Sequence, residues 1–169
     1  GNGAAALIAD PSRRLIGDEQ LDWLIQGWSN STTTWEVLGQ QVLMGRIFVP
    51  VELLVHLGTL IAKLEAGLDA SAEQAAVMTA ITELYTLRLR LDAGDQTVTT
   101  EEEARLTTTA PYNLDSWDGY FIEREQILGR ANLMGKNVIS LAGDTHNAWA
   151  SDLRFVAVAA TGELSERTV

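Results

Sequence analysis

The chain has 169 residues, of which 46% are hydrophobic and 21% charged, and this ordinary globular composition excludes long disordered or fibrous segments. Its 12 basic and 23 acidic residues give a formal net charge of −11, which disfavours general nucleic-acid binding and suits metal cations. Cysteine is absent, so disulfides, thiolate zinc sites and cysteine nucleophiles are excluded within these residues. The longest apolar stretch, residues 48–62, contains Glu52 and His56 and is too short to predict a membrane span.

The first predicted elements are a helix and a strand. Apolar residues recur at helical spacing over residues 18–29, which indicates a helix with one buried face. After a loop rich in Ser and Thr, residues 35–44 predict a mostly buried strand. Gln40 and Gln41 inside that strand would then require polar partners.

The middle of the chain is predicted to be a pair of packed helices. Pro50 suits the first turn of one helix, and a capping-box spacing that starts at Ser71 marks the beginning of the second. Residues 93–111 are rich in Thr, Asp and Glu and predict a loop that contains one short helix starting near Thr100.

The last third returns to alternating elements. After an irregular turn, we expect a helix that ends at Gly135, a buried strand over residues 137–142, and a final strand over 153–159 before a polar tail. This order predicts an α/β fold with a helical insertion at about residues 50–110.

The strongest candidate for chemistry is the pair Asp144 and His146, directly after the strand of residues 137–142. Alternate residues of an extended segment point the same way and lie roughly 7 Å apart. Function in α/β sheets also concentrates at the carboxyl ends of strands. A carboxylate and an imidazole together suit hard or borderline metal ions. The alternative is an Asp that caps a turn beside an ordinary polar His.

Two further segments hold weaker candidates. Asn113, Asp115 and Trp117 could line a phosphate pocket; alternatively Asp118 is the N-cap of the following helix and Trp117 packs beneath the turn. Arg13 has the geometry to contact a phosphate oxygen, and its alternative role is a surface position at the end of a loop.

Three segments resemble the PhoD-like family of alkaline phosphatases and phosphodiesterases. They are residues 143–153 (GDTHNAWASDL), residues 113–124, with Asn-x-Asp-x-Trp-Asp-Gly-Tyr followed by Glu-Arg, and residues 13–24, which lead into 35–44. The segments stand in the family's order and span about nine-tenths of the chain. Residues 50–109 carry no motif of the family.

The resemblance implies a calcineurin-like metallophosphoesterase, a four-layer α/β sandwich that holds two or more metal ions at its strand ends. It implies that Asp144 and His146 are catalytic and metal-binding residues, with iron and calcium as the ions. Metal-bound hydroxide would attack a phosphate ester. The resemblance also implies a bacterial periplasmic or secreted location, which is typical of family members.

The family's earlier metal-binding motifs and its cysteine ligand do not occur in this sequence. We therefore expect residues 1–169 to form a carboxyl-side part of the phosphoesterase domain, inactive alone and completed by the remainder of the same protein. The alternative hypothesis is a non-catalytic α/β or helical module whose central helix pair binds a partner. The sequence does not distinguish among monoesters, diesters and phospholipids as substrates.

Overall fold

The computed structural model describes residues 2–144, 148–158 and 164–169, and the chain divides into two compact units. The first unit comprises Gly1–Ile47 and Asn113–Val169, and the second comprises Phe48–Tyr112. Both units combine helices and strands, so the predicted α/β class is confirmed. No helix among the described residues is long and apolar enough to cross a membrane.

A parallel pair of strands lies at the centre of the first unit. Strand β1 (Glu36–Gln40) pairs with β4 (Val138–Ala142), so that Gln40 lies opposite Ala142. Helices α2 (Gly17–Asn30) and α6 (Phe121–Leu133) supply the core that packs on one face of this pair. Buried core side chains include those of Trp28, Met44, Trp117, Ile127, Leu128, Ala131, Val138 and Phe155.

The opposite face of the strand pair is open. Side chains alternate between the two faces of a strand, and the set that points away from the core is apolar. The exposed fractions of Val37, Ile139 and Leu141 are 58%, 39% and 58%. This face therefore leaves apolar surface in contact with water.

Three smaller elements complete the first unit. Helix α1 (Asn2–Ile8) lies near a 3-10 turn at Trp117–Tyr120, which leads directly into α6. Strands β5 (Arg154–Val158) and β6 (Leu164–Thr168) form an antiparallel pair, and β5 packs on α6.

The second unit is a helical hairpin with a short strand pair. Strands β2 (Phe48–Pro50) and β3 (Thr109–Pro111) are antiparallel and bring the two ends of this unit together. Helices α3 (Val51–Glu65) and α4 (Ser71–Asp92) pack against each other, and α5 (Thr100–Thr107) packs on α4. A stripe of four residues is buried on α4: Val77, Ala80, Leu84 and Leu87.

Several predicted elements are confirmed with small changes. The helix of residues 18–29 is α2, the strand of 137–142 is β4, and the last strand is β5. The predicted burial of β4 is found on one face only, because Ile139 and Leu141 are exposed. The α6 helix is followed by Gly135 with φ of 63°, a conformation that glycine adopts without a steric penalty. The strand predicted over residues 35–44 is shorter, because its regular pairing with β4 ends at Gln40.

Other local predictions are wrong. The predicted capping box at Ser71 does not form, because Ala70 is the N-cap and Asp69 Oδ1 accepts the Ser71 N–H instead. A capping box does form on α5, one residue earlier than predicted, between Thr99 and Glu102. Residues 93–111 contain β3 in addition to a helix, and the polar tail contains β6, which pairing with β5 stabilises despite its exposed side chains.

Candidate functional site

The carboxyl ends of β1 and β4 lie side by side, because the two strands are parallel. Just beyond them, the Asp144 N–H donates to the Gln41 carbonyl oxygen at 3.2 Å, which extends the strand pairing by one further bond. The Asp144 side chain is exposed at this edge. The structure thus places a carboxylate where α/β sheets concentrate their functional groups.

Of the two predicted metal ligands, Asp144 is among the described residues and His146 lies outside them. Over residues 2–144, 148–158 and 164–169, no group of three or more His, Asp and Glu side chains is arranged to hold a metal ion. A metal held by protein oxygen or nitrogen atoms requires several such ligands. A metal ion at Asp144 would therefore need further ligands from outside the described residues.

The turn that carries Asn113 and Asp115 is stabilised by its own hydrogen bonds. The Asn113 side-chain oxygen accepts the Asp115 N–H at 2.8 Å, and its carbonyl oxygen accepts the Ser116 hydroxyl at 2.8 Å. This is the local bonding that Asn provides in turns. Both Asn113 and Asp115 are exposed, so their outer surfaces face solvent.

Trp117 is buried, with 2% of its surface exposed. Its indole Nε1 donates to Oε1 of Gln40 at 2.6 Å, and Nε2 of Gln40 donates to Oγ of Ser140 at 2.6 Å. The polar partners expected for Gln40 are therefore confirmed. They connect the turn to both β1 and β4, whose adjacent carboxyl ends form what we call the site edge.

Asp118 is buried, but it does not cap α6 as the sequence suggested, because Tyr120 is the N-cap residue. Its carboxylate instead accepts Arg46 Nε at 3.2 Å and the Ile47 N–H at 3.0 Å. These bonds hold the segment after β1 against the 3-10 turn.

Arg13 contacts the same turn from another direction. Its Nε donates to the Gly119 carbonyl at 3.0 Å, its Nη2 donates to the Leu114 carbonyl at 3.4 Å, and its guanidinium lies 4.5 Å from the Tyr120 ring centre. Two donors and one face of Arg13 are thus used within the chain. A phosphate contact by Arg13 stays a prediction.

Sequence reasoning missed the buried charged residues of α6. Glu123 is fully buried, and Arg124 donates to the Met44 and Arg154 carbonyls, each at 2.9 Å, and to Glu125 at 2.6 Å. Burial lowers the pKa of the Arg124 guanidinium, while the adjacent Glu125 opposes that shift. The Glu-Arg pair of the family motif was the available signal, but it carries no indication of burial.

Two cavities flank the site edge. One of about 210 Å³ is lined by Leu24, Leu38, Gln40 and Trp117, and one of about 300 Å³ by Ser140, Ser151 and Asp152 among others. No basic side chain of the described residues lines either cavity.

Comparison with known proteins identifies the family of this chain. The model of the PhoD-like phosphatase family matches residues 2–166, and the chain therefore belongs to that family. The chain is similar to alkaline phosphatase D of Bacillus subtilis (strain 168), with 28% identity over 147 residues. That match covers 85% of this chain and only 15% of the relative. No solved structure matches the chain.

Proposed function

We propose that this chain is part of a metal-dependent phosphoester hydrolase and that Asp144 and His146 are its contribution to the metal centre. The observation that carries the proposal is the position of Asp144, directly beyond the paired carboxyl ends of β1 and β4 in a member of a phosphatase family. Bound metal ions would polarise the phosphoryl oxygens and lower the pKa of a water molecule. A carboxylate ligand favours hard cations, which supports calcium and iron as the ions.

We further propose that the metal centre is completed by other segments of a larger domain. The chain spans 15% of the length of the relative it matches. The apolar face formed by Val37, Ile139 and Leu141 is the kind of surface that packs against another layer of structure. A four-layer sandwich, with the residues of about 50–110 as a helical insertion, would supply that layer and the remaining ligands.

In that assembled domain, the exposed Asn113 and Asp115 would be available to a phosphate pocket. Trp117 would support the pocket from beneath, and Arg13 would offer the part of its guanidinium not used by the Gly119 and Leu114 carbonyls. The substrate is a phosphate ester, whose class the residues at this edge do not specify.

The second candidate function is a binding module, and one feature of α4 favours it. Met78, Ile81, Tyr85 and Leu89 follow at helical spacing, with exposed fractions of 58%, 43%, 64% and 50%. This second stripe lies apart from the buried stripe of the same helix. Such a surface suits an apolar partner and requires no metal ion.

Calorimetric titration of the 169-residue chain with Mn²⁺ and Ca²⁺ separates the two candidates. Because Asp144 and His146 would supply two of the ligands, we expect weak binding by the unaltered chain, and binding weaker again by roughly tenfold or more in Asp144→Asn and in His146→Ala. The control Asp22→Asn removes an exposed carboxylate on α2 and should bind like the unaltered chain. Equal binding by all four proteins, or no binding by any, would contradict the proposed metal centre. Phosphatase activity of the chain alone would contradict only its proposed dependence on further segments.

A further inference from the structure

The side chain of Gln40 connects three parts of the first unit. Gln40 is the last residue of β1, and its amide accepts from Trp117 in the 3-10 turn and donates to Ser140 in β4, both at 2.6 Å. The amide has one acceptor oxygen and an NH₂ donor group, and both are used. One side chain thus joins the turn to the two strands that form the site edge.

The turn that presents Trp117 is fixed on several sides. Arg13 holds the Gly119 and Leu114 carbonyls, and Asp118 holds Arg46 and the Ile47 N–H. A Cβ on Gly119 would collide with the Leu114 carbonyl, so only glycine allows this close approach. The turn that carries the Trp117 indole donor is therefore held in place by these contacts.

Gln41, the residue after Gln40, connects this hydrogen-bonded group to Asp144. The Gln41 carbonyl follows Gln40 directly and accepts the Asp144 N–H at 3.2 Å. We infer that the hydrogen-bond chain Trp117–Gln40–Ser140 positions Asp144 by fixing the ends of β1 and β4 against each other. Trp117, Gln40 and Ser140 are positioning residues, and the use of Asp144 as a ligand rests on the proposed function.

A role in packing alone predicts a different result from a role in hydrogen bonding. The substitution Trp117→Phe keeps an aromatic ring in the core, but it removes the N–H donor together with the five-membered ring and therefore also leaves a cavity. The substitution Ser140→Ala removes the acceptor in β4, whereas Ser140→Thr retains a hydroxyl. The matched control is Trp23→Phe, because Trp23 is 74% exposed and lies outside the hydrogen-bond chain.

Amide hydrogen exchange of the 169-residue chain, measured by NMR, tests the inference directly. We expect exchange at Leu141 and Asp144 to be about five- to tenfold faster in Trp117→Phe and Ser140→Ala, the effect of losing roughly one hydrogen bond. In Ser140→Ala, exchange in α6 should change less than exchange at the strand ends, and Ser140→Thr should behave like the unaltered chain. Unchanged exchange at the strand ends, or equal acceleration throughout the first unit, would overturn the inference.

Titration of the same variants with Mn²⁺ separates this inference from the proposed function. If the unaltered chain binds Mn²⁺, we expect Trp117→Phe to weaken that binding several-fold while Trp23→Phe leaves it unchanged. Mn²⁺ binding equal in Trp117→Phe and the unaltered chain would overturn the inference. If the unaltered chain binds no Mn²⁺, the proposed metal centre fails, and the exchange rates at the strand ends still decide whether the hydrogen-bond chain positions Asp144.

Discussion

Glu123 shows how a single buried charge can organise the loop before a helix. Its Oε2 accepts the Leu15 N–H at 2.5 Å and the Ile16 N–H at 3.2 Å, while its Oε1 is buried with no hydrogen-bond partner among the described residues. Burial of a carboxylate is costly unless donors compensate it. The two backbone donors provide that compensation. They also hold the segment that leads into α2 against the first turn of α6.

We expect Glu123→Ala to lower the free energy of unfolding by about 2–3 kcal/mol, because two backbone donors lose their acceptor. Glu123→Gln keeps an acceptor oxygen and should cost less than half as much. Urea unfolding, followed by tryptophan fluorescence, measures both changes. Glu19→Gln is the control, since Glu19 is exposed in the first turn of α2. A loss in Glu123→Ala no larger than in this control would contradict the assigned role.

At the scale of elements, the junction between α4 and α5 depends on a compact polar cluster. Arg90 near the end of α4 donates to Asp95 at 2.8 Å and to Glu102 at 3.0 Å. Asp95 also accepts the Thr97 hydroxyl at 2.6 Å and the Thr97 N–H at 2.9 Å. Together with the capping box on α5, these bonds order a segment that is polar in sequence.

The cluster should make the stability of the fold depend on pH in the acidic range. The Thr97 hydroxyl, then Arg90 and the Thr97 N–H, lower the pKa of Asp95 from 3.8 to about 2. Because the folded pKa lies below the unfolded one, Asp95 stabilises the fold above about pH 4, and this contribution is lost as the pH falls towards 2. We expect Thr97→Val to raise the pKa of Asp95, as measured by carboxyl ¹³C NMR. Thr59→Val removes a hydroxyl that donates to the Val55 carbonyl within α3, and this variant should leave the pKa of Asp95 unchanged.

Elements with strong apolar periodicity or buried apolar runs were predictable from sequence, and elements that depend on a distant partner were not. The pattern of residues 18–29 defines α2 without reference to any other segment. By contrast, β6 has exposed side chains throughout, and only its pairing with β5 makes it a strand. The helix start at Ser71 depends on Asp69, a competing acceptor that spacing alone does not reveal.

The candidate site was predictable to the same degree. The strand ending before Asp144 was confirmed, as was the need of Gln40 for polar partners. The sequence could not show that those partners are Trp117 and Ser140, which are 77 and 100 residues distant. For the same reason, it could not show that Asp118 bonds to the segment after β1 and leaves α6 uncapped.

At the scale of the whole molecule, one face of the β1–β4 pair is buried by packed side chains and the other is exposed. Leu128 of α6 is 0% exposed in the core on one face, whereas Leu141 on the other face is 58% exposed. The acidic net charge of −11 opposes association between copies of the chain, so this apolar face does not imply a dimer. It agrees instead with the proposal that another layer of a larger domain packs there.

The same substitution on the two faces should therefore have very different effects. We expect Leu128→Ala to lower the free energy of unfolding by about 2–5 kcal/mol, because it leaves a cavity in a packed core. Leu141→Ala removes a side chain already in water and should cost less than about 1 kcal/mol. It should also reduce the fluorescence of a bound apolar dye such as ANS, because the exposed apolar surface becomes smaller. Urea unfolding of both variants provides the comparison, and equal losses would show that the face of Leu141 is covered within this chain and needs no further layer.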